Sequence, residues 1–157
     1  MSLKIEQVHK YFVGEVSGID LSDPLSKSEV TEIEEGMDQF GVLIFREQFL
    51  SDEEQVSYTK NFGELEITKP GTMGSNSNLV ILTNMDEDGK VVDHSHKQAK
   101  NDRANQQWHS DSSFKIHPAH ASILNGRITP KIGGSTQFIC MRNIYNKLDQ
   151  SIQKQLD

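Results

Sequence analysis

Two helix-start signatures constrain this 157-residue chain more than any other feature. Ser26 is followed by Glu29, and Ser51 by Glu54, each just ahead of a run with apolar residues. In such a pair the Ser hydroxyl accepts from the amide three residues on. The Glu carboxylate reaches back to the Ser amide, so two donors that a helix start leaves orphaned are satisfied at once. After the first pair, Val30, Ile33, Met37 and Phe40 recur at helical intervals, and Gly41 supplies a stop. After the second pair a helix is predicted to about Phe62, ended by Gly63. Tyr11–Ile19 reads as a strand broken at Gly14 and Gly18, and Val42–Phe45 as a short buried strand. The chain therefore opens β-α-β-α.

From Leu65 the texture changes. Leu79–Thr83, Gln106–Ser113, Ala119–Ile128 and Ser135–Met141 read as strands, separated by Pro118, Pro130 and Gly133-Gly134. The Asp-Gly pair within Asp86–Lys90 signals a turn. His94–Arg103 is polar and aperiodic, as a loop would be. Asn143–Leu148 and Ser151–Leu156 read as short helices. No linker composition appears, so residues 1–157 are expected to form a single domain.

Composition excludes several classes. Leu, Ile, Val and Phe supply 40 of the 157 residues, enough for a core and too many for wholesale disorder. No apolar run approaches the roughly 18 residues that a membrane helix needs. The first 15 residues alternate charged and apolar groups, unlike a signal peptide. The single cysteine, Cys140, excludes an internal disulfide and a Cys-rich zinc site, which fits a cytoplasmic location. Charge is unevenly spread. Residues 28–66 hold 11 acids and 2 bases, whereas residues 89–157 hold 10 bases and 5 acids. The acidic stretch reads as solvated helix faces, while the basic one can attract small anions. The dense Lys/Arg stripe and interleaved aromatics of a nucleic-acid binder are missing, so no nucleic-acid partner is expected.

The segment richest in chemistry is Asn105-Gln-Gln-Trp108-His109-Ser-Asp111-Ser-Ser113-Phe114. On a strand, His109 and Asp111 share a face, about 6.6 Å apart along the axis. An imidazole and a carboxylate so placed supply two thirds of a 2-His-1-carboxylate facial triad for non-haem Fe(II). Spacing alone is weakly specific: 6 His and 11 Asp in this chain give about 0.4 such pairs by chance. A His and Asp that hydrogen-bond each other are the plainer alternative. His94-Ser-His96 is a second pair at the same spacing, in a polar, Lys-rich stretch.

Trp108-His-Ser-Asp-Ser-Ser-Phe114, followed by Gly133-Gly-Ser-Thr136, strongly resembles the TauD/TfdA family of Fe(II)- and 2-oxoglutarate-dependent dioxygenases. Val13–Leu21, Gly41–Arg46, Asn61-Phe-Gly63 and Met141–Leu148 fit the same pattern in order. The resemblance implies a mainly β fold with α elaboration, a double-stranded β-helix (jelly-roll, cupin-like) preceded by the β-α-β-α segment. It implies hydroxylation of a small organic acid, aryloxyalkanoate- or sulfonate-like, by O₂, with 2-oxoglutarate decarboxylated to succinate and CO₂. His109 and Asp111 match the first two iron ligands. Thr136 matches the Thr that hydrogen-bonds a carboxylate of 2-oxoglutarate, and Asn105 a position near cosubstrate and substrate. Thr68 stands where taurine enzymes carry a substrate-binding His. Ser113 and Lys69 resemble substrate-carboxylate positions of the phenoxyacetate branch.

The chain also departs from the family. Its members are nearly twice as long, and their second histidine ligand and 2-oxoglutarate arginine lie well downstream of the Gly-Gly-x-Thr. Here the last histidine is His120, and the only arginine after Thr136 is Arg142. The expectation is an N-terminal, truncated portion of the family domain, with pairing to another copy to cover its open edges. A non-catalytic remnant or assembly module is the alternative to an active dioxygenase.

Overall fold

The computed structural model describes residues 2–67, 78–86, 88–93 and 106–157. Two compact units emerge: Met1–Phe62 with Asn125–Asp157, and Gly63–Leu124.

The first unit is built on a three-stranded sheet. Strands β1 (Lys4–Gln7), β2 (Gly14–Ser17) and β3 (Leu43–Phe45) lie in that order. β1 runs antiparallel to β2, with Ile5 opposite Val16; β2 runs parallel to β3, with Val16 opposite Phe45. A parallel pair needs a crossover, and helix α1 (Lys27–Phe40) provides it. Both expected helix starts are present. The Ser26 hydroxyl accepts from the Glu29 amide at 3.3 Å, and Glu29 Oε2 accepts from the Ser26 amide at 2.7 Å. Helix α1 ends where Gly41 turns left-handed at φ 70° and its amide donates to Met37 O. Helix α2 (Asp52–Thr59) opens with the same reciprocal pair between Ser51 and Glu54, then tightens into a 3₁₀ turn at Lys60–Phe62.

Packing follows from these elements. Ile33, Gly36 and Phe40 form the buried stripe of α1. Gly14 and Gly36 let helix and sheet approach closely: a Cβ on Gly14 would lie 2.7 Å from Ile5 Cγ2 and 2.8 Å from Phe40 Cδ2. Leu21, Ile33 and Tyr58 form the core, flanked by Leu3, Leu25, Leu43 and Phe45. Burial pushes the Tyr58 phenol well above its usual range. The chain returns to this unit through helices α3 (Met141–Tyr145) and α4 (Gln150–Leu156). Asn125 and Arg127 each donate to Oε1 of the buried Gln55, at 3.3 Å.

In the second unit the Asp-Gly turn forms as expected. Asp86 Oδ1 accepts from the amides of Asp88 and Lys90, and Met85 bridges Val91. The expected strands do not form. Leu79–Thr83, Gln106–Ser113 and Ala119–Ile128 run as turns and irregular chain, and in the first unit the strand expected at Ser135–Met141 is irregular too until Met141 opens helix α3. Among the described residues the structure is therefore a mixed one, with one small sheet and four helices, and not mainly β. A strand is stabilised by the ladder it joins, and these segments join none among the described residues. Left-handed residues also interrupt the run of chain, at Ser112 (φ 55°) inside one segment and at Gly133 and Gly134 ahead of another.

Candidate metal and cosubstrate site

His109 and Asp111 do come together, by a different route from the one their spacing suggested. They do not share the face of a strand. The chain turns directly after them, with the Lys115 amide donating to Ser112 O at 2.9 Å. His109 Nε2 lies 3.2 Å from Asp111 Oδ1. His109 Nδ1 lies 2.7 Å from the Gln107 carbonyl oxygen. That carbonyl can only accept, so Nδ1 carries a proton there. In a neutral ring Nε2 then presents a lone pair to a carboxylate oxygen. A metal ion placed between them would take both donors.

The donor set fits a first-row divalent metal. Imidazole nitrogen and carboxylate oxygen both suit Fe(II) or Mn(II). Metal bonds of about 2.1 Å make neighbouring octahedral donors roughly 3.0 Å apart, close to the separation found here. The bond from Nδ1–H to a backbone carbonyl is the usual support of a ligating histidine. Among the described residues, no group of three His, Cys, Asp or Glu side chains is placed to hold a metal.

Four further side chains are tied to this segment, one of them bonded to the pair itself. Ser122 Oγ donates to Asp111 Oδ2 at 2.7 Å. Glu66 Oε2 accepts from Ser112 Oγ at 2.9 Å and pairs with Lys115 Nζ at 2.7 Å. The hydrogen bond from Lys115, then that from Ser112, holds the Glu66 carboxyl below the usual carboxylate range. Sequence reasoning missed these residues. Ser122 is eleven positions from Asp111 and Glu66 is 46 from Ser112, so no short spacing announces either.

Of the remaining expected residues, Ser113 is exposed in the turn after Asp111. Thr136 is exposed in the first unit, just after the left-handed Gly133 and Gly134. Asn105, Thr68 and Lys69 lie outside the described residues, as do His94 and His96. Arg142 is committed elsewhere: its guanidinium donates to the carbonyls of Asp38 and Gln39 at the end of α1, where the helix dipole favours a cation. An apolar cleft of about 290 Å³ in the first unit lies beside Tyr11, Phe138 and Ile144, and neither His109, Asp111, Ser113 nor Thr136 lines it.

Comparison with known proteins decides the kinship. The profile described as "Taurine catabolism dioxygenase TauD, TfdA family" matches residues 4–157. The chain belongs to the TauD/TfdA family. Within the family it is 37% identical, over 99% of its own length and 54% of the relative's, to the alpha-ketoglutarate-dependent 2,4-dichlorophenoxyacetate dioxygenase of Burkholderia sp. (strain RASC). It is 36% identical to the protein of the same name from Cupriavidus pinatubonensis, over 100% of this chain and 56% of that one. Among solved structures it resembles AAD-2, crystallised with Mn(II) and N-oxalylglycine. The TM-score is 0.81 at 35% identity, covering 99% of this chain and 53% of that one. The chain thus spans about half the length of the curated family members it matches. Among the described residues no helix is long and apolar enough to cross a membrane.

Proposed function

We propose that the chain contributes the first two metal ligands and part of the cosubstrate site of an Fe(II)- and 2-oxoglutarate-dependent dioxygenase acting on a small organic acid of the aryloxyalkanoate type. The complete domain would be the family's jelly roll. One observation carries the reading: His109 Nε2 and Asp111 Oδ1 face each other at 3.2 Å within the segment that resembles the family's iron-binding motif. The metal–cosubstrate pair, when bound, supplies oxidising power from O₂, with 2-oxoglutarate leaving as succinate and CO₂ and oxygen entering a substrate C–H bond. This chain's residues hold and orient. His109 offers a neutral nitrogen donor and Asp111 a negative one. Thr136 would donate its hydroxyl to a carboxylate of 2-oxoglutarate, and Asn105 is assigned to the same cosubstrate and the substrate. Ser113, Lys69 and Thr68 are assigned to the acid group of the substrate. The similarity to 2,4-dichlorophenoxyacetate dioxygenases favours an aryloxyalkanoate over a sulfonate.

Anaerobic titration with Fe(II), with and without 2-oxoglutarate, tests this reading. The 157-residue chain should bind the ion weakly, because a site of this kind needs three protein ligands and this motif supplies two. His109→Ala should abolish that binding. Equal binding by the unaltered chain and His109→Ala would remove His109 and the reading with it.

A second reading is a non-catalytic assembly module. It is favoured by the apolar side chains left exposed in the second unit, Trp108, Phe114 and Ile116 among them. Self-association without any metal binding in the same titration would support it.

A further inference from the structure

We infer that Ser122 is a positioning residue for the metal pair, fixing which oxygen of Asp111 faces the ion. The inference rests on the proposal that His109 and Asp111 hold a metal, and it concerns a residue outside the shared motif. A carboxylate only accepts, so at 2.7 Å the Ser122 hydroxyl must donate its proton to Oδ2. The distance is that of a charge-assisted bond. With Oδ2 engaged, Oδ1 is the oxygen left facing His109 Nε2. A free carboxylate rotates about its last bond and can turn either oxygen, or both, toward an ion. The Ser122 bond removes that choice and leaves Asp111 as a ligand through a single oxygen.

The neighbouring turn supports the same orientation. Ser112 is held in the left-handed region at φ 55°, a conformation that needs outside help in a residue with a side chain. That help comes from Glu66, which takes the Ser112 hydroxyl and the Lys115 ammonium on one oxygen. The backbone on one side of Asp111 is thus pinned by Glu66, and its carboxylate by Ser122. On the other side the Gln107 carbonyl fixes the His109 ring. Each donor of the pair therefore has one support outside the pair itself, the arrangement that tunes protein metal sites.

Ser122 and Asp111 are both exposed, so folding should not depend on their bond. That separates a positioning role from a structural one. The test is Mn(II) binding to the 157-residue chain, followed by electron paramagnetic resonance, for the unaltered protein, Ser122→Ala, Ser122→Thr and His109→Ala. Thermal melting without metal is recorded for each. Ser122→Ala should weaken Mn(II) binding about tenfold or more, the range found for such supports, with an unchanged melting temperature. Ser122→Thr keeps the hydroxyl and should restore the affinity. If Ser122→Ala binds Mn(II) as tightly as the unaltered chain while His109→Ala loses it, the positioning role is wrong and the metal pair stands. If Ser122→Thr binds as poorly as Ser122→Ala, the hydroxyl is not the active feature and the inference falls. If the unaltered chain takes no Mn(II), the metal pair and this inference fall together.

Discussion

The stretch before Phe62 and the stretch from Gly63 to Leu124 solve different problems with similar amounts of chain. The first buries Ile33 to 3% exposure and Tyr58 to 5%, with strand, helix and strand covering one another. The second leaves Trp108 64% exposed and Phe114 75% exposed, and its order comes from turns and polar side-chain bonds. Helices satisfy their own backbone within a few residues, and a cap finishes the job locally. Strands do so only through a neighbour. Among the described residues, apolar side chains therefore condense into a core in the first region, which also carries more of them (24 of residues 1–62 against 19 of residues 63–124), and stay open in the second.

The largest test of that contrast is a pair of truncations. Ile33→Ala should cost about 2–4 kcal/mol in denaturant unfolding, the usual loss for a large aliphatic side chain removed from a core. Trp108→Ala removes more atoms, yet should change stability by less than about 0.5 kcal/mol because little of the ring is buried. Comparable losses at the two sites would mean that the second region has a core of its own.

Glycine replacements sharpen the contrast by mechanism. In the first region Gly14→Ala forces a methyl to 2.7 Å from Ile5 Cγ2 and 2.8 Å from Phe40 Cδ2. Overpacking of this kind costs about 1–3 kcal/mol, partly offset by the entropy that Ala removes from the unfolded chain. In the second region Gly89 has open space around it but φ 76°. Gly89→Ala should cost about 1 kcal/mol through backbone strain alone. Cutting Ile5 back to Ala, which removes Cγ2, should relieve part of the Gly14→Ala penalty and none of the Gly89→Ala penalty. Equal relief at both would overturn the packing account.

How much of this was legible in the sequence follows the same division. Both helix starts, the Gly41 stop and the Asp86–Lys90 turn were readable, because each depends on residues a few positions apart. Strand β1 was missed: Lys4-Ile-Glu-Gln is too short and too polar to stand out, and it exists through pairing with β2. The segments Gln106–Ser113 and Ala119–Ile128, expected as strands, find no pairing partner among the described residues. The site was half legible. The motif brought His109 and Asp111 forward, but the reason given, a shared strand face, was wrong. They approach each other on irregular chain just ahead of the turn in which Ser112 is left-handed. Ser122 and Glu66 carried no local signal, since only the fold brings them beside the motif.

The smallest expected effect concerns acid. Glu29 and Glu54 titrate below their ordinary value of 4.5, Glu29 chiefly through its side-chain bond with Ser26, and Glu54 chiefly through the amide of Ser51. In the second region Glu66 is lowered too, but chiefly by the Lys115 ammonium. A carboxyl whose native pKa is depressed adds stability above its unfolded pKa and loses it as the pH falls through the native value. All three should therefore weaken the fold slightly below about pH 4.5, where such groups begin to take up protons. Salt separates them. The helix caps are bonds to neutral donors at contact distance, while Glu66 faces a charge on a flexible, solvated side chain, and surface ion pairs are screened. Carboxyl carbon titrations by NMR, at low salt and at about 1 M salt, should leave Glu29 and Glu54 nearly unmoved. Glu66 should drift back toward its ordinary value, and Lys115→Ala should shift it further the same way. Should Glu66 resist salt as the caps do, its bond to Ser112 rather than the ion pair would be holding the turn, and the second region would be more like the first than its exposure suggests.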